Sequence, residues 1–344
     1  MTQKINIGII FGGKSAEHEV SLQSSKNVIE ALDKEKYNPV LIKIEKDGKW
    51  MLCKEIVIAP QSNGVMAELL ATEKNQEFKI DVAFPVLHGT FGEDGTVQGL
   101  FKLAGIPFVG ASVLGSAVGM DKDVMKRLLR EAGIPVAKFL VYTGRACVSF
   151  AEVVEKLSLP FFVKPANLGS SVGIHKVNNE TEFAKAVADA FQYDSKIIIE
   201  ENVIGREIEC AVLGNQEPIA SLPGEVIPSH EFYSYEAKYL DDAGAKFKIP
   251  ADLPSEVIDK IQKLAIQTFK TLCCEGMGRV DFFLKENGEV LVNEINTIPG
   301  FTKISMYPKL WKASGIGYSQ LLDRLIELAI ERFQNEQKLK TSFV

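Results

Sequence analysis

"GRVDFFLKENGEVLVNEIN", residues 278 to 296, carries two apolar runs joined by Glu286-Asn287-Gly288, a connection short enough for a hairpin. Within each run polar residues recur at intervals of two: Arg279 and Asp281 in the first, Glu294 and Asn296 in the second. Successive strand side chains point to opposite faces, so this spacing aims each pair in one direction. If the two strands pair, Asp281, Glu294 and Asn296 converge as three oxygen ligands next to the Pro299-Gly300 turn. Such a set suits magnesium, which prefers a few carboxylates together with waters and phosphates. A surface ion pair with Arg279 is the simpler alternative. Four polar groups on one face of otherwise apolar strands favour a site, because half-burying unpaired charge is costly.

Around this hairpin the chain reads as a globular protein of several domains. Its 344 residues exceed what one hydrophobic core usually holds. A net charge of -6 argues against a nucleic-acid or anionic-membrane surface and leaves a small ligand as the expectation. Five cysteines, at 53, 147, 210, 273 and 274, form no CxxC pair and suit a reduced cytosol. The apolar stretch at the N-terminus is too short for a membrane span, so the cytoplasm is the expected location.

Strands at 5–11, 40–44 and 82–87 alternate with helical stretches at 15–32, 95–104 and 112–119, which predicts an α/β fold with a mostly parallel sheet over residues 1–120. The pattern restarts at residue 121. A small unit to residue 202 suits a lid, and residues 203–344 hold the hairpin, two long helices at 254–273 and 318–336, and a further strand at 206–213.

Four other stretches invite chemistry. Gly8 to Ser15 spells GxxxxGK[ST], but Ile9, Ile10 and Phe11 read as the strand itself where a phosphate loop needs loop residues, so Lys14 is read as part of a turn before a helix. "VKPANLGSSVGI", 163–174, is a better phosphate site: Lys164 leaves a strand directly before a loop whose glycines let backbone amides approach an anion. "IIIEENVIGREIE", 197–209, ends an apolar strand in Glu200 and Glu201, either a solvated edge or an inter-domain hinge offering groups to an adenine. "PVLHGTFGEDG" puts His88 at a strand end and Glu93 at a probable helix start, where a packed or capping role is the plain reading.

The order of these motifs, from "FGGKSAEHEVSLQS" through "LHGTFGEDG", "MDK", "VKPANLGSSVGI", "EENVIGREIE", "FYSYEAKYL" and "GRVDFF" to "NEINTIPGFTKIS", resembles the D-alanine:D-alanine ligase family of the ATP-grasp superfamily, over residues 8 to about 332. The resemblance implies a three-domain ATP-grasp architecture whose N-terminal domain is Rossmann-like, in a cytoplasmic homodimer that acts without membrane or nucleic acid. It implies that ATP phosphorylates the carboxylate of one D-alanine, and that the amine of a second attacks the acyl phosphate to give the dipeptide used in peptidoglycan synthesis. Under this resemblance Asp281, Glu294 and Asn296 hold two magnesium or manganese ions. Lys122, Lys164 and Ser171 meet ATP phosphates, Glu200, Glu201 and Val203 read adenine, and Glu207 takes the ribose. Arg279 and the Gly300 amide stabilise the oxyanion, while Glu17, Ser170 and Tyr239 surround the first D-alanine amine with His88 near its carboxylate. Ser305 holds the second carboxylate and Lys238 reaches the γ-phosphate.

Three alternatives stay open on the sequence. A silent nucleotide-binding regulator of the same fold is expected to lack a metal ligand or Arg279, and a phosphate-loop NTPase depends on Lys14. A ligase that makes D-alanyl-D-lactate is the third, and Tyr239 resembles the dipeptide-forming members, where phenylalanine at the matching position accompanies ester formation.

Overall fold

The computed structural model describes residues 3–61, 64–71, 79–144, 148–169, 172–228 and 245–340. Its elements fall into three sheets. The first segment holds β1 (Ile5–Gly12), α1 (His18–Ala31), β2 (Tyr37–Ile44), β3 (Trp50–Gln61), β4 (Gly64–Ala71), β5 (Val82–Val86), α2 (Thr96–Leu103) and α3 (Val113–Met120). Strands β2, β1 and β5 are parallel, as alternating strands and helices require, but β3 and β4 extend the sheet as an antiparallel edge in the order β4-β3-β2-β1-β5. The mostly parallel expectation therefore holds for the centre of the sheet and not for its edge.

The unbroken apolar run of β1 follows from burial on both faces. Ile7, Ile9 and Phe11 pack on one side with α1 and the C-terminal helices, while Ile10 joins Val97 and Phe101 of α2 on the other. The first sheet is thus built into one core with the C-terminal segment.

The middle segment comprises α4 (Lys122–Glu131), β6 (Phe139–Thr143), α5 (Phe150–Leu157), β7 (Phe161–Pro165), β8 (His175–Val177), α6 (Glu180–Tyr193) and β9 (Lys196–Glu201). Its four strands form an antiparallel sheet, β6-β9-β7-β8, over a separate core that includes Phe161, Phe183 and Ile199. Helix α4 does not share that core: Met125 and Leu129 pack with Ile208, Phe282 and Val292 beneath the third sheet.

That third sheet is built from β10 (Arg206–Gly214), β11 (Ile219–Ala220), β12 (Gly224–Pro228), β13 (Ala245–Lys248), β14 (Gly276–Leu284) and β15 (Val290–Asn296). Helix α7 (Ser255–Thr271) covers its apolar face, and α8 (Met306–Ala313) and α9 (Tyr318–Gln337) run back to the first sheet. Among the described residues no helix is long and apolar enough to cross a membrane.

Arg332 of α9 joins first and third segments in a way the sequence does not announce. Its buried guanidinium donates to the carbonyls of Gly110 (2.6 Å) and Phe108 (2.7 Å) and lies 4.4 Å from the Phe108 ring. We expect Arg332→Ala to cost about 2 kcal/mol, since two buried carbonyls lose a charged donor. Chemical unfolding checks this, and an unchanged midpoint would show that the clamp adds nothing.

Candidate active site

The polar face of the third sheet follows from strand pairing. Strands β14 and β15 form the expected antiparallel hairpin, with Asp281 opposite Glu294 and Arg279 opposite Asn296. Glu209 of β10 lies opposite Asp281, and Glu207 follows two residues away on the same face. The opposite face carries Ile208, Cys210, Val280, Phe282 and Ile295 into the core. Alternation separates a buried apolar layer from a row of charged groups on β10 and β14. On β15 a register shift between Val292 and Glu294 re-phases it, so that Val292 and Ile295 both face the core while Glu294 and Asn296 join the charged row.

Within that row Arg279 is held as a fork. Its Nε and one terminal nitrogen each donate to Asp281 at 2.7 Å, and Nε also lies 3.0 Å from Glu209 Oε2. Asn296 Nδ2 donates to Asp281 at 3.0 Å. Glu294 Oε2 lies 3.9 Å from Lys122 Nζ, which donates to the Leu168 carbonyl at 2.7 Å. Burial pushes the Lys122 ammonium below its ordinary value, and Glu294 opposes that shift. Among the described residues no group of three or more His, Cys, Asp or Glu side chains is gathered as a ready-made metal cage. Asp281, Glu294 and the Asn296 carboxamide instead offer an oxygen-only set with two carboxylates, which fits a hard cation that completes its shell with phosphate and water.

The same cleft continues toward the first sheet, where it is lined by Glu17, His88, Glu93, Gly300, Thr302 and Ser305. Glu17 is buried at the entry to α1. Gly89 sits at φ +74°, which strains residues with a side chain, and a Cβ there would stand 2.6 Å from Glu17 Oε2 and push that carboxylate aside. Ser305 Oγ stands 2.7 Å from where a Cβ on Gly300 would lie, so a side chain at 300 would displace that hydroxyl. Ser305 Oγ also accepts the Thr302 amide at 3.0 Å. His88 is buried, which pushes its imidazole below the ordinary range, and its Nδ1 donates to the Ile298 carbonyl at 3.1 Å.

Lys164, Glu200, Glu201 and Val203 sit on or just beyond β7 and β9 of the middle sheet. Glu200 is buried between two lysines, 2.9 Å from Lys126 Nζ and 2.5 Å from Lys164 Nζ. Burial raises its proton affinity, but the two ammonium groups outweigh burial and hold the carboxyl at about 2. Glu201 accepts the Lys138 amide at 2.8 Å. His175 pairs with Asp189 of α6 at 2.7 Å, so it braces the middle segment. Ser170, Ser171, Lys238 and Tyr239 lie outside the described residues.

Three residues of this arrangement escape sequence reasoning as site residues. Lys126, one helical turn after Lys122, is almost fully buried against Glu200. Its signal is a lysine aligned with the buried positions of α4. Glu209 carried the alternation signal with Glu207. Glu93 gave no signal beyond a helix start, yet it lies enclosed between two loops, where burial and Glu17 push its carboxyl up to about 8.

Comparison with known proteins places these features in a family. The D-ala D-ala ligase N-terminus model matches residues 6–111, and the D-ala D-ala ligase C-terminus model matches residues 128–327. A D-alanine--D-alanine ligase of Oceanobacillus iheyensis is 53% identical, covering 98% of this chain and 99% of its own. The solved D-alanine-D-alanine ligase of Coxiella burnetii superposes with a TM-score of 0.85 at 43% identity, covering 98% of this chain and 97% of its own. A D-alanine--D-alanine ligase from Bacillus anthracis, solved in complex with ATP, gives a TM-score of 0.76 at 30% identity over 96% of this chain and 99% of its own.

Proposed function

This chain belongs to the D-alanine–D-alanine ligase family, and on that premise we propose that its cleft joins two D-alanines to D-alanyl-D-alanine for peptidoglycan synthesis at the expense of ATP. The observation that carries the proposal is one continuous cleft. It holds the oxygen-donor row and, at its other end, Gly300 beside Ser305, while Lys122 lines an adjoining cavity that shares Glu294 and Asn296 with it.

A carboxylate is a poor electrophile until it carries a leaving group, so transfer of the γ-phosphoryl group must come first. Lys122 and Lys164 supply positive charge for the phosphates, and Glu200 fixes Lys164 from behind. Asp281, Glu294 and Asn296 would hold magnesium or manganese, which when bound supplies further neutralisation of phosphate charge. Arg279, its fork held by Asp281 and Glu209, and the Gly300 amide are the donors assigned to the oxyanion. Glu17, buried in the cleft, is assigned to the ammonium of the first D-alanine, and His88 of the same cleft to that substrate's carboxylate. Ser305 offers its hydroxyl to the second substrate. The proposal includes ribose contact by Glu207, adenine contact by Glu201 and Val203, and the cytoplasmic homodimer that the resemblance implies.

The test is release of phosphate from ATP on addition of D-alanine, with D-lactate and D-serine as competing nucleophiles and the products separated. Phosphate release that tracks D-alanyl-D-alanine is the expected result, and ATP turnover indifferent to D-alanine would overturn it. Lys14→Ala is expected to change turnover less than twofold, because Lys14 follows the strand end and its amine lies near the Phe91 ring, 5.9 Å away. Loss of ATP turnover in that variant would revive the phosphate-loop reading.

A further inference from the structure

The Gly300 amide can serve an oxyanion only if its peptide is held still, and the residues on either side of it are anchored by the first segment. Before it stands Ile298, gripped at both backbone groups. Its N–H donates to Glu93 Oε1 at 3.0 Å, and its carbonyl accepts from His88 Nδ1 at 3.1 Å. The other carboxylate oxygen of Glu93 accepts the Gly89 amide at 2.8 Å, in the loop that carries His88. That loop closes on itself through the Gly92 and Glu93 amides, which both donate to the Gly89 carbonyl. After Gly300 stands Phe301. Its N–H donates to Ser24 Oγ at 3.3 Å, and its carbonyl accepts from Asn27 Nδ2 at 3.2 Å and the Tyr318 hydroxyl at 2.9 Å. Ser24 Oγ also lies 3.3 Å from His88 Nε2.

We infer that Glu93 is a positioning residue: its carboxyl group clasps the Gly89 and Ile298 amides, tying the His88 loop to the 297–300 segment so that the Gly300 amide and His88 face the same substrate carboxyl. The clasp spans residues 205 apart in sequence and belongs to two different segments of the fold. A carboxyl group suits this task because it turns one acceptor oxygen to each amide, so two amides from separate loops share one side chain. The inference rests on the ligase reading for the role of Gly300, but the clasp itself is a matter of backbone contacts.

Glu93→Gln tests it. Glutamine keeps the length but has one acceptor oxygen, so one of the two amides is left facing an NH2 group. The expected result is a fall of about tenfold in kcat/KM for D-alanine, the equivalent of one amide donor left unsatisfied, with KM for ATP within twofold of the native value. Amide hydrogen exchange over residues 297–300, measured on the protein without substrates, is expected to quicken in the same variant. Glu93→Asp, too short to reach both amides, is expected to show the same pair of effects. Native D-alanine kinetics in both variants would overturn the inference, as would unchanged exchange over 297–300 or an equal loss in the D-alanine and ATP parameters. If the native protein shows no D-alanine-dependent phosphate release, the ligase reading fails, and the exchange comparison still decides the clasp.

Discussion

Glu294→Gln is expected to leave a folded protein whose D-alanine-dependent phosphate release is slower by about a hundredfold or more, the scale on which a lost electrostatic partner acts at a reacting centre. The substitution keeps shape and removes one charge. Glu294 lies opposite Asp281 on the paired strand and 3.9 Å from Lys122, and it is one of the two carboxylates in the proposed magnesium-holding set. Glu294 is half-buried at the cleft and packs into none of the apolar cores, so glutamine should fit with little change in thermal midpoint. The measurement is phosphate release over a titration of magnesium at saturating ATP. Near-native turnover at high magnesium would remove Glu294 from the proposed ligand set and leave the oxygen-donor row as a structural feature of the sheet.

The second large effect concerns stability. Glu200 is 3% exposed and Lys126 is 1% exposed, with Lys164 completing the group. Glu200→Met fills similar volume and strands two lysines, one of them in the deep interior. Breaking a buried pair from one side costs about 3–5 kcal/mol, because the remaining charge keeps its desolvation penalty. The pH dependence carries a sign. In the native protein the Glu200 carboxyl is held at about 2, below the ordinary carboxylate value of 4.5. Its contribution is therefore fully present above the unfolded value and is lost as pH falls from about 4.5 through 2. In the variant the penalty belongs to an unpaired ammonium, which burial drives toward its neutral form, so stability should instead recover as pH rises toward the ordinary lysine range. Denaturant midpoints from pH 3 to 10 for both proteins decide the matter. A variant as stable as the native chain, or one with the same pH profile, would show that the triad is not energetically coupled.

Much of the candidate site could be read before folding was considered. The Arg279/Asp281 and Glu294/Asn296 spacings, joined by a three-residue turn, carry the hairpin and its chemistry in a stretch of nineteen residues, though not the register shift beside Asp281. Lys164 at a strand end and the glycines beyond it are local signals of the same kind. The ordered series of motifs added the family, and the matched segments agree with it.

Other features depend on partners that a local pattern cannot name. The antiparallel edge of β3 and β4 was not foreseen, because alternation marks a strand without saying which neighbour it joins or in which direction. Helix α4 reads as the start of the middle segment, yet Met125 and Leu129 are buried beneath the third sheet, a choice made by packing across the segments. Lys126 reads as a solvated helix lysine until Glu200, seventy-four residues later, supplies its counter-charge. Glu93 and Arg332 are the clearest cases, since the groups they hold lie 205 and more than 220 residues away. The sequence by itself determined the α/β class, the family and the placement of Arg279 with Asp281 and of Glu294 with Asn296 on shared strand faces, because periods of two and 3.6 residues are written in neighbouring positions. The register shift that turns Glu294 and Asn296 away from the core came only with strand pairing. Tertiary structure alone decided which charges are paired, which amides are clasped and how the 297–300 segment is held against His88. Those contacts arise where remote segments exclude water together, and burial is what turns a polar side chain from a solvated bystander into an obligatory partner.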